Sequence, residues 1–528
     1  MAIALERTRR RLNGQPLGLV ALAAIVTAAI LMPPVYLVWR ASESSAIWEQ
    51  LTDESTLRAF WRTVLLTATV TATCIGLAVP LAWLTGRTDL PLRRLWTVAL
   101  ALPLAVPTFV GGYVVVSALG PGGLLQDILQ PLGVDRLPSI YGFWGAWFVV
   151  SIFSYPYIFI QVRASFARLD PAMEEVSRSL GKNAWETFRR VNLPQMRPAI
   201  AAGALLVALY SVSEFGAVSM LRYDTLTPLV YIQYTTSFDR ASAAVLGLPL
   251  IGLAVLILAV EGLTRGHAQY YSSAQRRPAR TLPLGRWRWP AFAFCTLVAA
   301  LGLGLPVGVV LYWLIRGLSA EGTTSFLLEA ALNSTRASTL AAIAAALACL
   351  PIAYLSARHP GWTAGFFEKA SYAGQSLPAI TIALALVFFA ASYVTGLYQT
   401  IWILVFAYTV RFLPEAMGAI RSSLLQVNPN TEEAARSLGA GPIRTFARVT
   451  APQTFPGVSA GMVLVFLTAM KELPITILLS PIGFDTLATE IWNATSEAFF
   501  TRAAMPSLIL LLISACAVML MLRRERLS

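Results

Sequence analysis

The chain has 528 residues, 56% of them hydrophobic and only 13% charged, and its mean hydropathy is positive. An ordinary water-soluble domain carries about a quarter charged residues, so this composition excludes one. The net charge of +13 does not indicate a nucleic-acid reader either, because the basic residues are spread along the chain rather than gathered in one block.

A helix that crosses a bilayer needs roughly 20 mostly apolar residues. In chain order, the stretches that qualify are 17–39, 61–85, 95–119, 140–162, 198–221, 242–263, 289–315, 334–356, 371–395, 398–420, 456–480 and 503–522. Arg7, Arg9, Arg10 and Arg11 precede the first, which places the N-terminus in the cytoplasm. With the spans alternating from there, cytoplasmic segments hold 29 of the 40 Lys and Arg residues and external segments 9 when Arg62 and Arg336 at the outer span ends are included, the bias of a correctly oriented twelve-helix protein with both termini inside. The first apolar stretch runs on through Trp39 without a small-residue cleavage site and reads as a retained helix rather than a signal peptide. Cys74, Cys295, Cys349 and Cys516 fall inside spans with no short-spaced pair, as packing residues do, and His267 and His359 fall in cytoplasmic loops, so no metal site is expected.

The chain repeats itself. Pro171 to Pro198 aligns without gaps on Pro429 to Pro456, with 14 of 28 positions identical. Weaker echoes flank it: Pro80-Leu-Ala-Trp-Leu resembles Pro351-Ile-Ala-Tyr-Leu, Arg87 matches Arg358, and Asp224-Thr-Leu matches Asp485-Thr-Leu. Each copy holds six spans, an even number, so the repeat is parallel. The resulting division is an N-terminal helix and external loop over 1–60, a first membrane domain over 61–263, a basic cytoplasmic linker over 264–288, a helix and external loop over 289–331, and a second membrane domain over 332–522.

Each repeated segment opens with a helix-start signal, Asp170-Pro171 or Asn428-Pro429, followed by paired glutamates that suit the positive end of a helix dipole. Gly181 and Gly439 end this first helix, Asn183 and Glu186 resemble a capping box for a second, and Pro194 and Pro452 are expected to stop that second helix before the next span. Met173, Val176, Leu180, Phe188 and Val191 recur at helical intervals and form a face that seeks a partner, either the protein's own surface or another chain.

These residues resemble a known family. Glu175-Val-Ser-Arg-Ser-Leu-Gly181 followed by Val191-Asn-Leu-Pro194, and Glu433-Ala-Ala-Arg-Ser-Leu-Gly439 followed by Val449-Thr-Ala-Pro452, look like the EAA loops of type I ABC importer permeases. The resemblance implies an all-α polytopic membrane protein with twelve transmembrane helices in two parallel six-helix repeats of the MetI-like permease fold. It also implies coupling of an ATPase through Glu175, Gly181, Pro194, Glu433, Gly439 and Pro452, with two copies of that ATPase and an external or periplasmic substrate-binding protein as partners. No Gly-x-x-x-x-Gly-Lys-Ser/Thr phosphate loop occurs, so ATP hydrolysis falls to the partner and the chain is a transport subunit of the inner membrane with no permanently bound cofactor.

The fused layout is most similar to ferric iron permeases, with thiamine permeases next and polyamine or other small-solute importers as further readings. A secondary transporter driven by an ion gradient is the alternative from another class, and the paired loops argue against it. Glu214 and Glu472 occupy equivalent positions inside spans, where a lone carboxylate is costly, and are expected to face each other or a water-filled path with Tyr210 one turn away. A hard trivalent cation prefers such oxygen ligands. The competing structural reading pairs Lys471 with Glu472 or another carboxylate and bonds Glu214 to a broken helix near Gly216; Arg411 reads as structural.

Overall fold

The computed structural model describes residues 16–133, 137–166, 171–236, 240–264, 281–317 and 324–527. Among the described residues, ten helices are long and apolar enough to cross a membrane. Trp362–Ser376 and Ala379–Tyr393, bent by 99°, make an eleventh span if counted together, and Phe500–Cys516 is a shorter apolar helix.

Four stretches expected as continuous spans are interrupted. Residues 95–119 divide into Arg93–Ala99, a 3-10 turn Leu102–Ala105 and Thr108–Leu119, with Pro103 and Pro107 at the breaks. Residues 371–395 break before Ala379, at Pro378. Residues 198–221 divide into Leu193–Val212 and Gly216–Met220, and residues 456–480 into Ala451–Met470 and Pro474–Leu479. At three of these breaks proline supplies no N–H to the helix ladder and biases the preceding residue toward extended backbone, while the break at 213–215 has no proline. Hydropathy does not register this, because the flanking residues stay apolar.

The chain clusters into two compact units that each draw on both repeats. One unit comprises Met1–Gln50, Gln233–Ile251 and Thr323–Glu490. Its centre is the long helix Thr324–Arg358 packed on Ile401–Gln426 and Ala451–Met470. The N-terminal helix Leu17–Ser42 lies on Thr324–Arg358 and Ala379–Tyr393, burying Ala23, Ile30, Leu37 and Ala41 and setting Tyr36 edge-on to Phe389 at 5.4 Å. The other unit comprises Leu51–Ile232, Gly252–Gly322 and Ile491–Ser528. It centres on Glu54–Arg87 packed against Phe143–Phe166 and Leu193–Val212, and Leu305–Gly317 and Phe500–Leu527 pack on each other, with Phe500 at 5.4 Å from Trp313 and 5.7 Å from Tyr113.

One device recurs in both. A Cβ on Gly203 would stand 2.8 Å from the Ile158 Cα, and one on Gly461 would stand 3.1 Å from the Ala416 Cα, so a glycine lets two helix backbones touch at equivalent places. In lipid, where apolar burial supplies no net drive between helices, such close packing holds them together. Packing also accounts for the buried Cys74, Cys295 and Cys349, but not for Cys516, which is exposed. His267 lies outside the described residues.

Candidate functional site

The repeated loops share one construction. Each first helix, Pro171–Ser179 or Pro429–Ser437, ends in a glycine whose left-handed backbone (φ +80° at Gly181, +83° at Gly439) reverses the chain. A Cβ at either position would meet nothing within 4 Å, so backbone angle rather than crowding selects glycine. Asn428 caps the second-copy helix by accepting from the Asn430 N–H at 3.0 Å, and Asn183 accepts from the Glu186 N–H at 2.8 Å, one half of the expected capping box. The matching cap Asp170 lies outside the described residues.

The role expected of Pro194 and Pro452 is overturned. Neither stops a helix. The short helices Ala184–Thr187 and Pro442–Thr445 pass through a π turn, Phe188–Asn192 or Phe446–Thr450, directly into Leu193–Val212 or Ala451–Met470. Each proline sits in the first turn of the following helix, where its fixed φ fits and the wider π turn has already released the ladder. The segment and the long helix are therefore one rod, continuous over Trp185–Val212 and Pro442–Met470.

In each copy the first loop helix is tied to the long helix of its own unit by a charge, and the rod is tied to that same long helix by a ring. In one unit the Arg87 guanidinium lies 2.9 Å from Glu174, both side chains buried, and Trp83 meets Phe188 edge-on at 5.9 Å. In the other, Arg358 donates to Glu432 from Nε and Nη2 at 3.1 and 3.0 Å and to the Val427 carbonyl at 3.0 Å, and Tyr354 meets Phe446 at 5.7 Å. Glu432 also accepts from Thr450 at 2.9 Å. The weak echoes Trp83/Tyr354 and Arg87/Arg358 are thus the two anchors. Next to this pair, burial and the nearby Arg436 hold His359 below the usual imidazole range.

The carboxylates fixed in these pairs are the neighbours of Glu175 and Glu433, which are exposed. Exposed apolar side chains follow them in each loop at equivalent places: Leu180 (73%) and Trp185 (68%) in one copy, Leu438 (88%) and Ile443 (85%) in the other.

Glu214 and Glu472 each sit at a break in their rod. The Glu214 carboxylate accepts from the Ala217 N–H at 2.9 Å, capping Gly216–Met220, and from the Thr108 hydroxyl at 2.7 Å. Thr108 also bonds the Tyr210 hydroxyl at 2.8 Å, so Glu214, Tyr210 and the first residue of Thr108–Leu119 meet at one point. Glu472 accepts from the Ile475 N–H at 3.4 Å, the same position in its own short helix, while Thr476 donates to the Glu472 carbonyl and bonds Tyr408, each at 2.5 Å. Glu214 is buried and Glu472 half-buried.

Sequence reasoning missed Glu415. It accepts from Thr468 at 2.7 Å and interacts electrostatically with Lys471, Arg411 and Glu472. Lys471 engages both Glu415 and Glu472. Arg411 donates to the Leu377 carbonyl and, at 3.4 Å, to that of Gln375, so it bridges the 99° bend as a structural group. Among the described residues, no group of three or more His, Cys, Asp or Glu is arranged to hold a metal ion.

The chain matches the family described as "Binding-protein-dependent transport system inner membrane component" over residues 78–265 and again over 349–526. It is 33% identical over 514 residues, 96% of this chain and 98% of the relative, to the Fe(3+)-transport system permease protein FbpB 2 of Haemophilus influenzae. It is 23% identical to the ferric transport system permease protein FbpB of Actinobacillus pleuropneumoniae, across 79% of this chain and 64% of that one. The sulfate transport system permease protein CysT of Escherichia coli, 27% identical, aligns over 92% of its own length but only 48% of this chain, as a single repeat would. Matched twice by one family and aligned end to end with a fused relative, the chain belongs to the binding-protein-dependent transport system inner membrane components and is the membrane permease subunit of an ABC importer whose ATPase is a separate protein.

Proposed function

We propose that this permease imports ferric iron delivered by an external binding protein, with one ATPase copy docked on each repeated loop. The observation that carries the substrate is the end-to-end relative named for Fe(3+) transport. The breaks at Glu214 and Glu472 support it, because they place carboxylate, phenolic and hydroxyl oxygens, the ligands a hard cation prefers, where the rods open. In this reading Glu472, half-buried beside Glu415 and Lys471, is the carboxylate that meets the ion. Glu214 and Tyr210 hold the other repeat's break in shape.

Docking rests on the duplicated loops. Glu175, Gly181 and Pro194, with Glu433, Gly439 and Pro452, shape two exposed surfaces whose leucines match and whose second helices run unbroken into the membrane rods. A domain closing on such a surface moves the rod and therefore the break above it. Two surfaces call for two ATPase copies, and both termini lie in the cytoplasm with them.

The test is reconstitution of the chain in lipid with its ATPase, measuring hydrolysis stimulated by binding protein loaded with iron, sulfate or thiamine. Iron alone is expected to stimulate. Stimulation by another loaded protein and not by iron overturns the substrate, and native mass spectrometry showing one ATPase per chain overturns the stoichiometry.

A further inference from the structure

The segment that enters the second repeat is stitched onto the loop after Glu54–Arg87. Leu282 donates its N–H to the Arg87 carbonyl at 2.8 Å and accepts from the Asp89 N–H at 3.1 Å, and Leu284 donates its N–H to the Asp89 carboxylate at 2.8 Å. Trp96 packs edge-on to Phe292 at 5.2 Å, which fixes Arg93–Ala99 against Arg288–Ala299. These contacts set the helix that Arg93 and Arg94 open, after Leu92 in a left-handed conformation (φ 57°), against the helix that Arg286 precedes and Arg288 opens.

All four arginines are exposed, and among the described residues none forms an ion pair. A shallow cavity of about 700 Å³ opens here, lined by Arg93, Arg94, Leu92, Leu95, Asp89 and Thr281. The one acid in its wall already accepts from Leu284. Exposed Trp287 (62%) and Trp289 (70%) stand beside the arginines at the start of the apolar stretch Gly285–Gly317. Tryptophan at that level marks the membrane–water interface, and unpaired arginines at that level attract phosphate-bearing headgroups.

We propose that this cavity is a binding site for the headgroup of an anionic phospholipid, with Arg93 and Arg94 in its wall holding the phosphate, Arg286 and Arg288 on the adjoining segment adding to its positive field, and Leu92, Leu95, Trp287 and Trp289 meeting the upper acyl chains. The site is independent of which substrate the permease carries. A bound lipid bridges the loop of the first repeat and the opening helix of the second, and so reinforces the stitch at residues 87–89 and 282–284.

The test uses the full chain purified in mild detergent, titrated with phosphatidylglycerol, cardiolipin or phosphatidylcholine and read by native mass spectrometry and by the thermal midpoint. The wild type is expected to retain anionic lipid in preference to phosphatidylcholine and to gain stability from it. Arg93→Gln/Arg94→Gln, alone and combined with Arg286→Gln/Arg288→Gln, is expected to lose that retention by about fivefold per arginine. The charge-matched control Arg189→Gln/Arg190→Gln/Arg444→Gln/Arg448→Gln is expected to keep it, and Arg93→Lys/Arg94→Lys to keep most. Equal retention by wild type and the Arg93/Arg94 variant overturns the site, as does a wild type without preference for anionic lipid. Displacement by millimolar inorganic phosphate alone assigns the cavity to a free anion instead and overturns the lipid.

Discussion

The two repeats agree at their loops and part company at their breaks. The loops match at half their positions, reverse at glycines of the same φ, and anchor through the same acid–arginine and ring–ring contacts. Around the breaks the equivalents differ in kind: Ser213 against Lys471 and Tyr210 against Thr468 after the loops, and Tyr157 against Glu415 before them. One break is closed by neutral hydroxyls around a single buried acid, the other by two acids and a lysine. A partner that binds both copies alike keeps the two loops alike, whereas a solute crossing one path needs no such symmetry.

The largest effect separates the two anchors. Removing one partner of a buried ion pair strands the other charge and costs about 3–5 kcal/mol. Glu432→Ala, which leaves Arg358 and Thr450 without their acceptor, is expected to lower the thermal midpoint more than Glu174→Ala, whose arginine makes an ion contact without hydrogen-bond alignment. Equal losses would break the distinction between the copies.

At the breaks, Glu214→Ala is expected to cost about 2–3 kcal/mol through two lost bonds to a carboxylate, and Glu472→Ala less, since its cap is longer. Transport should reverse the order. Glu472→Gln is expected to cut iron uptake about tenfold, roughly 1.4 kcal/mol, with Glu214→Gln milder, measured as uptake into vesicles at equal protein. A larger uptake loss at Glu214 would move the substrate contact to the other repeat.

Gly181→Val and Gly439→Val each force a β-branched residue to positive φ, at about 1–2 kcal/mol. Binding-protein-stimulated ATP hydrolysis should fall in both, and to a similar degree, because the loops match. Smallest is Asn428→Ala, which removes a cap worth about 1 kcal/mol and should loosen only Pro429–Ser437, seen as faster amide exchange there.

Much of this was legible in the residues. Hydropathy located the spans, and the gapless alignment gave the parallel repeat and both loops. Three of the breaks escaped because Pro107, Pro378 and Pro474 sit in apolar company, and hydropathy weighs side chains rather than missing N–H groups; the break near Gly216, capped by Glu214, is the one the competing structural reading contained. The loop motif drew attention to Glu175 and Glu433, yet the anchored acids are Glu174 and Glu432. The signal lay in the matched arginines Arg87 and Arg358, which need a buried partner at matched positions. Glu415 had no local pattern, since Lys471 lies 56 residues away and only the packing of Ile401–Gln426 on Ala451–Met470 brings the two together.

The placement of Leu17–Ser42 against Thr324–Arg358 and Ala379–Tyr393 sets a timetable for synthesis. When the ribosome has finished the first helix, the surfaces it will pack on have not been translated. At roughly 5–20 residues per second they begin to emerge on the order of a quarter of a minute to a minute later. During that wait the helix must rest in the bilayer on its own hydrophobicity, with Pro33 and Pro34 already built into it. Assembly of its unit is therefore gated by the second half of translation, and a ribosome that stalls before Thr324 leaves the first helix without its partners.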